Sequence, residues 1–432
     1  MAAGVPRLIQ AEAGFSGEAA LAMALSGLGR RISPADVFEL AGVDPARGRG
    51  ASADGLVRAA SALGASANRW VADVRGDPER GLMAALADLQ SVSDALLLEF
   101  STGDFVVLRG IRGRRLRIDD PRVGADLSLH RRELARRWPQ AHDGGRRVCA
   151  VTLRVPRELR AAPGRGGRMP GLKVAQRVRG LSLELAGRGW PIAVVGPFIL
   201  TGNLTEERLG DYAESLVRMA LDRLRLDFFS RDPNEPVVAY LFADDVTYRR
   251  HTLEIFGEEP ETPFGYYDGA KRALVMNIAT GGGTMVHEMI HPLLRANFPG
   301  ASPWLDEGLA SLFEQCRDRE GHLVGMPNWR LAGLHHALRA GSAPSFAELL
   351  SSDAVTFYGE ERGTNYAQAR YLLYFFQEQG VLVELWRRLV AGGAQEDGGL
   401  RVLAAMAERL GYADLGAFRR AWESFVLGVR YP

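Results

Sequence analysis

The chain has 432 residues, 47% hydrophobic and 24% charged, with a net charge of +1. That length allows two or three domains with full cores, and the charge balance gives no electrostatic case for binding nucleic acid or an anionic membrane. The opening residues, M-A-A-G-V-P-R-L-I-Q, contain no apolar signal core, and no run reaches spanning length, so a cytoplasmic protein without membrane insertion is expected. Cys149 and Cys316 stand far apart without metal-ligand spacing and predict no disulfide framework.

Residues 8 to 155 predict one domain, and residues 1–156 are taken as its extent. Helices are expected near 17–29 and 34–42 and over S-A-D-G-L-V-R-A-A-S-A-L-G-A. The segments L-L-L-E-F, D-F-V-V-L-R-G and R-L-R-I-D-D-P then predict antiparallel strands with turns at Gly103 and Gly113. Helices first and sheet afterwards is an α+β order. The chain has Gln10, then S-G-E-A-A-L, then D-F-V-V-L-R-G, then D-P-R-V-G. This series resembles the papain-like double-glycine leader peptidase domains of bacteriocin-exporting transporters. In that family a glutamine precedes C-G-x-A-x-L, then H-F-V-V-x-x-G, then D-P-x-x-G.

The resemblance puts Ser16 in the place of the nucleophilic cysteine and Asp104 in that of the histidine, while Gln10 and Asp120 remain. A thiolate is nucleophilic because a histidine holds it as an ion pair. A serine facing an aspartate lacks a comparable base. The resemblance therefore implies a pseudopeptidase, and a plain helix cap by Ser16 is equally compatible with the residues.

Residues 157–190 are rich in Arg, Gly and Pro and predict a linker. From 191 the pattern changes, and 191–432 is expected to be a second domain. P-I-A-V-V-G-P-F-I-L predicts a strand, 205–226 an amphipathic helix, P-V-V-A-Y-L-F-A a strand, and 245–256 a helix. The strand A-L-V-M-N-I-A then leads through three glycines into G-T-M-V-H-E-M-I-H-P-L-L.

His287 and His291, four residues apart, project from one helical face. Val286, Met289, Ile290, Leu293 and Leu294 form a stripe that buries this helix with the histidines at its edge. Thr284 is a candidate N-cap, and Pro292 is expected to kink the helix just after the second histidine. H-E-x-x-H on a helix has a mechanism: two neutral imidazoles bind Zn²⁺, and Glu288 takes a proton from water. A third ligand is needed, and Glu307 in P-W-L-D-E-G-L-A-S-L-F-E supplies a carboxylate beside a second buried stripe, Leu305, Leu309, Leu312 and Phe313. The full set resembles the gluzincin metallopeptidases, closest to the peptidase MA-like group, and implies one Zn²⁺ per chain. Asp306, Ser311 and Glu314 are candidates to support the ligands, Glu314 by accepting a histidine N–H. After Glu307 the chain is expected to be helical to its end, giving a zincin with a small sheet whose last strand lines the substrate cleft.

In related gluzincins a tyrosine about sixty residues past the glutamate donates to the oxyanion. Tyr366 matches by position, with Tyr371 and Tyr374 as alternatives in the same aromatic stripe. The stretch F-G-Y-Y-D-G-A-K-R-A lacks the amine-anchoring glutamate of the aminopeptidase branch, which favours an endopeptidase. The expected partner is a peptide or protein, with a leader-bearing precursor peptide as one candidate. A non-catalytic peptide-binding scaffold, both halves being relics, is the rival, and epoxide hydrolysis has no residues to support it.

Overall fold

The computed structural model describes residues 14–74, 78–142, 145–393 and 397–431. The chain divides into two compact units, Met1–Arg165 with Pro170–Gly187, and Gly166–Met169 with Arg188–Pro432. The class is mixed α+β, with a sheet in the N-terminal unit and a mostly helical C-terminal part. Among the described residues no helix is long and apolar enough to cross a membrane.

The first unit opens with α1 (Ser16–Gly27), α2 (Pro34–Leu40) and α3 (Ala53–Ala62). Ser33 and Ser52 cap the second and third, accepting from Asp36 N and Gly55 N. Then come β1 (Ser66–Asp73), α4 (Pro78–Ser91), β2 (Ala95–Glu99), β3 (Phe105–Arg112), β4 (Arg115–Asp120), β5 (Gly124–His130), α5 (Arg131–Arg137), β6 (Gln140–His142) and β7 (Gly145–Arg154). The antiparallel sheet has the order β1-β7-β2-β3-β4-β5, with β6 added to β7. β2 and β3 are buried on both faces. Leu97, Phe105 and Val107 join the α1 and α3 core, whereas Leu96, Leu98, Val106 and Leu108 meet Leu86 and Trp138.

The linker expected over 157–190 is corrected in part: it holds α6 (Gly171–Glu184), a member of the first unit. Leu172, Val174, Ala175, Val178 and Leu181 form its buried stripe, and Leu172 and Ala175 join Phe15 and Phe38 in one cluster. Gly171 N donates to Glu39 Oε1 at 2.7 Å. The neighbouring Arg-Gly-Pro run conceals this short periodicity.

The second unit begins with β8 (Ile192–Val195) and β9 (Phe198–Gly202), a hairpin where the sequence reads as one strand. Gly196 makes the turn at φ +57°. α7 (Glu206–Asp211), a π-helical turn (Tyr212–Arg218) and α8 (Met219–Asp227) form the amphipathic stretch, followed by β10 (Val237–Phe242) and α9 (Asp245–Phe256). β11 (Gly265–Asp268) and β12 (Ala273–Asn277) complete a sheet of order β11-β12-β10-β9-β8. β12, the strand expected to line the cleft, pairs on both sides with β10 and β11 and so has no free edge. The edge belongs to β11, which hydropathy did not reveal.

α10 (Gly283–Asn297) and α11 (Pro303–Glu314) follow, then a small hairpin of β13 (Cys316–Arg319) and β14 (His322–Gly325) that interrupts the expected all-helical run. The remainder is helical: α12 (Leu331–Ala340), α13 (Phe346–Ser351), α14 (Ala354–Phe357), α15 (Arg362–Glu378), α16 (Leu382–Arg388), α17 (Leu400–Arg409) and α18 (Leu415–Gly428). One core joins the sheet, α10, α11 and α15 through Leu274, Met289, Leu309 and Leu372.

Candidate active site

The site is built where the middle of α10 packs against the first half of α11. Gly281 takes φ +105°, Gly282 is the cap, and α10 begins at Gly283. Thr284 is thus inside the first turn and is not the cap. Gly283 is required sterically, because a Cβ there would run into the Glu314 carbonyl oxygen. Pro292 does not end the helix, which continues to Asn297.

His287, His291 and Glu307 are all buried, and one ligand atom from each falls within 4.8 Å of the others. His287 Nε2 lies 3.3 Å from Glu307 Oε2, and Glu288 Oε2 lies 3.8 Å from His291 Nε2. Asp306 Oδ1 sits 2.6 Å from His291 Nδ1, so this nitrogen donates to the carboxylate and Nε2 is the ring atom available to a metal. Glu307 Oε2 and His287 Nδ1 are buried without a hydrogen-bond partner. Burial lowers the basicity of His291, but Asp306, Glu307 and Glu288 outweigh it and lift its pKa to about 9. Burial also works against ionised Glu307, yet His287, His291 and the Tyr358 hydroxyl hold it down at about 2. Burial pushes Glu288 upward. A pocket that draws positive charge in this way, with two imidazoles, a carboxylate and an orphaned oxygen, fits Zn²⁺.

Of the supporting candidates, Asp306 is the one hydrogen-bonded to a histidine of the cluster, His291. Ser311 reaches no ligating side chain: its hydroxyl donates to the backbone carbonyl of Glu307. Glu314 accepts no histidine N–H, because Arg330 Nε at 3.1 Å and Asn328 Nδ2 at 3.3 Å occupy it. Tyr366 lines the cavity of about 440 Å³ that contains His287 and Glu288. Its phenol is pushed up by burial and then by Glu307. Tyr371 is buried away from it, its hydroxyl engaged with the backbone of Asn328, and Tyr374 packs on Phe425. Tyr358, missed in the sequence, donates to Glu307 Oε1 at 2.9 Å. It follows a four-residue helix, where no periodicity marks it.

In the first unit Ser16 Oγ donates to Asp104 Oδ1 at 3.2 Å and accepts from Phe105 N at 3.0 Å. Ser16 is the first residue of α1 and caps nothing. Asp104 Oδ2 accepts from Thr102 Oγ1 at 2.8 Å and from Arg122 Nη1 at 2.7 Å. Asp120 is tied to the backbone of Arg122, 2.9 Å from its nitrogen. Gln10 lies outside the described residues. A larger cavity of about 560 Å³ in this unit, lined by Arg30, Arg31 and Arg160, contains none of these groups.

Residues 8–141 match the model of the Peptidase C39 family, a family of cysteine peptidases, and the N-terminal region therefore carries a papain-like domain of that type. Among solved structures, a double glycine motif protease from an AMS/PCAT transporter in complex with the leader peptide is 26% identical. It covers 34% of this chain and 93% of its own, with a TM-score of 0.25. The peptidase domain of Streptococcus ComA, a bifunctional ABC transporter involved in a quorum sensing pathway, is 22% identical over 34% of this chain and 95% of its own, with a TM-score of 0.26. No curated protein matches the chain.

Proposed function

We propose that the second unit is a zinc metallopeptidase of gluzincin type, acting as an endopeptidase, and that the first is an inactive peptidase-like domain that recruits the substrate. The observation behind this reading is the convergence of His287, His291 and Glu307 on one point, with Glu288 beside it. Zn²⁺ held by these three residues would supply Lewis acidity and bring the pKa of water toward neutrality. Glu288 accepts the proton of the attacking water and hands it to the leaving amine. Asp306 keeps His291 in the ligating tautomer, and Tyr366 donates a hydrogen bond to the carbonyl oxygen as it gains charge. Gly265 of β11 lines the same cavity, so an extended peptide can add to that sheet edge. In the first unit Asp104, already paired with Arg122, is a poor base for the Ser16 hydroxyl.

Metal content and turnover of unstructured casein test the reading together. His287→Ala and Glu307→Ala should each lose the metal, whereas Glu288→Gln should keep one Zn²⁺ per chain and lose casein hydrolysis. A folded wild type without stoichiometric zinc on elemental analysis would sink it. A zinc-loaded protein inert toward casein would favour the non-catalytic scaffold.

A further inference from the structure

The cavity beside His287 and Glu288 has a basic, aromatic side formed by Trp329, Arg330 and Arg362. Arg330 is already neutralised: it pairs with Glu314, and its guanidinium lies 4.3 Å from the Trp329 ring centre and 5.0 Å from that of Tyr366. Arg362, exposed on the first turn of α15, makes no side-chain hydrogen bond or ion pair among the described residues. Two apolar residues of the same cavity lining are uncovered, Trp329 57% and Phe264 50% exposed. The neighbouring cavity, which shares Thr262 with this one, has a net acidic lining: Glu258, Glu259, Glu261 and Asp268 against Lys271, which pairs with Asp268.

We propose that Arg362, which lines the cavity together with Trp329 and Arg330, is a specificity subsite for an anionic group of the peptide substrate. That group is a carboxylate, supplied by an Asp or Glu side chain or by the free C-terminus. The inference builds on the peptidase reading. A planar guanidinium offers two parallel N–H donors to a carboxylate, which an ammonium cannot reproduce. The carboxylates of the neighbouring cavity disfavour the same group, which biases a bound peptide toward Arg362. Trp329 and Phe264 provide the apolar flanks that shield the pair from water.

The test uses the zinc-loaded full chain and quenched peptides that carry Asp, Asn or Lys at each position in turn, with C-termini either free or amidated. Binding is read separately, by anisotropy of labelled versions on the Glu288→Gln chain. The wild type should prefer one carboxylate over its amide counterpart about tenfold in kcat/KM and in affinity, the effect of one charge-assisted hydrogen-bonded contact. A preference tied to an internal position assigns a side chain, and one tied to amidation assigns the terminus. Arg362→Ala should erase the preference, Arg362→Lys should keep part of it, and Arg362→Glu should turn it toward Lys. A loss caused merely by misfolding would not produce that reversal. Equal binding of Asp, Asn and Lys peptides, or a preference unchanged in Arg362→Glu, overturns the subsite. If no peptide is cleaved while binding still follows residue 362, the subsite stands and the peptidase reading fails.

Discussion

The two tyrosines beside Glu307 are chemically alike but placed for different work. Both line the cavity beside His287 and Glu288, but Tyr358 spends its hydrogen on Glu307 Oε1, which leaves Tyr366 as the proposed donor to a substrate carbonyl. Tyr358→Phe should weaken zinc affinity by about 10- to 100-fold, measured by competition with a chelating dye. Tyr366→Phe should leave that affinity alone and lower kcat by about two to three orders of magnitude with little change in KM. The reverse pattern would exchange their roles. Far from both, Glu18 is buried in α1, with Oε1 accepting from Ala51 N at 2.5 Å and Oε2 without a partner. Burial raises its pKa from 4.5 to about 7. Because the folded form holds the proton more tightly, its stabilisation is complete below about pH 4.5 and is lost as pH rises through about 7. Glu18→Gln keeps the acceptor and removes the titration. Its gain in stability over the wild type should grow between pH 5 and 8, toward about 3 kcal/mol at about 1.36 kcal/mol per pKa unit. A gap in urea midpoint that does not change with pH would show that Glu18 does not titrate there.

At the scale of elements, the proposed metal site depends on how α10 and α11 pack, and one glycine sets their approach at Glu314. Gly283 has no room for a Cβ against the Glu314 carbonyl, so Gly283→Ala must push the helices apart. It should cost about 1–3 kcal/mol and reduce zinc affinity at least tenfold, although no ligand is altered. Gly282→Ala is the control, since its Cβ would meet the Leu216 Cδ2 end at 2.8 Å, a side chain that can turn aside. Equal zinc affinity in both variants would show that the contact does not set the ligand spacing. These contacts also mark how far the sequence could be read. His287, Glu288, His291 and Glu307 were legible because a four-residue helical offset and two apolar stripes are local patterns. Asp306 was legible because it sits next to a ligand on the same helix. Glu314 was misjudged because its partner, Arg330, lies beyond the β13–β14 hairpin and shares no period with it. The edge strand β11 was missed because G-Y-Y-D is short and carries no alternation. The strand expected at the cleft, β12, is wholly buried and paired on both sides.

For the whole molecule the consequence is two cores on one chain, one built on the first unit's sheet and one around α10, α11 and α15. Heating should give two transitions; a chelator should lower only that of the second unit, and Glu18→Gln should move only the other. The position of α6 decides how the recruitment role of the first unit can be tested. Deleting residues 1–156 would strip the cover from Leu172, Val174, Ala175, Val178 and Leu181, and that protein should aggregate. A chain beginning at Arg188 removes α6 with its own unit and Gly166–Met169 of the second. It loses the hydrogen bonds from Met169 N to Asp232 Oδ2 at 2.7 Å and from Asp232 N to Gly167 O at 2.9 Å, and the Arg168–Asp232 pair. It should remain folded, bind zinc and cleave a short generic peptide as the full chain does. If the first unit holds a leader segment near the metal centre, tethering raises the local concentration of the attached peptide without adding a catalytic contact. The truncated chain should then lose about a hundredfold in kcat/KM on a substrate fused to a double-glycine leader, while the generic peptide is unaffected. Ser16→Ala in the full chain should leave both rates unchanged, since a recruiting cleft needs no nucleophile. An equal loss on both substrates, in a truncated protein that keeps its zinc, would make the first unit part of the catalytic architecture and end the recruitment reading.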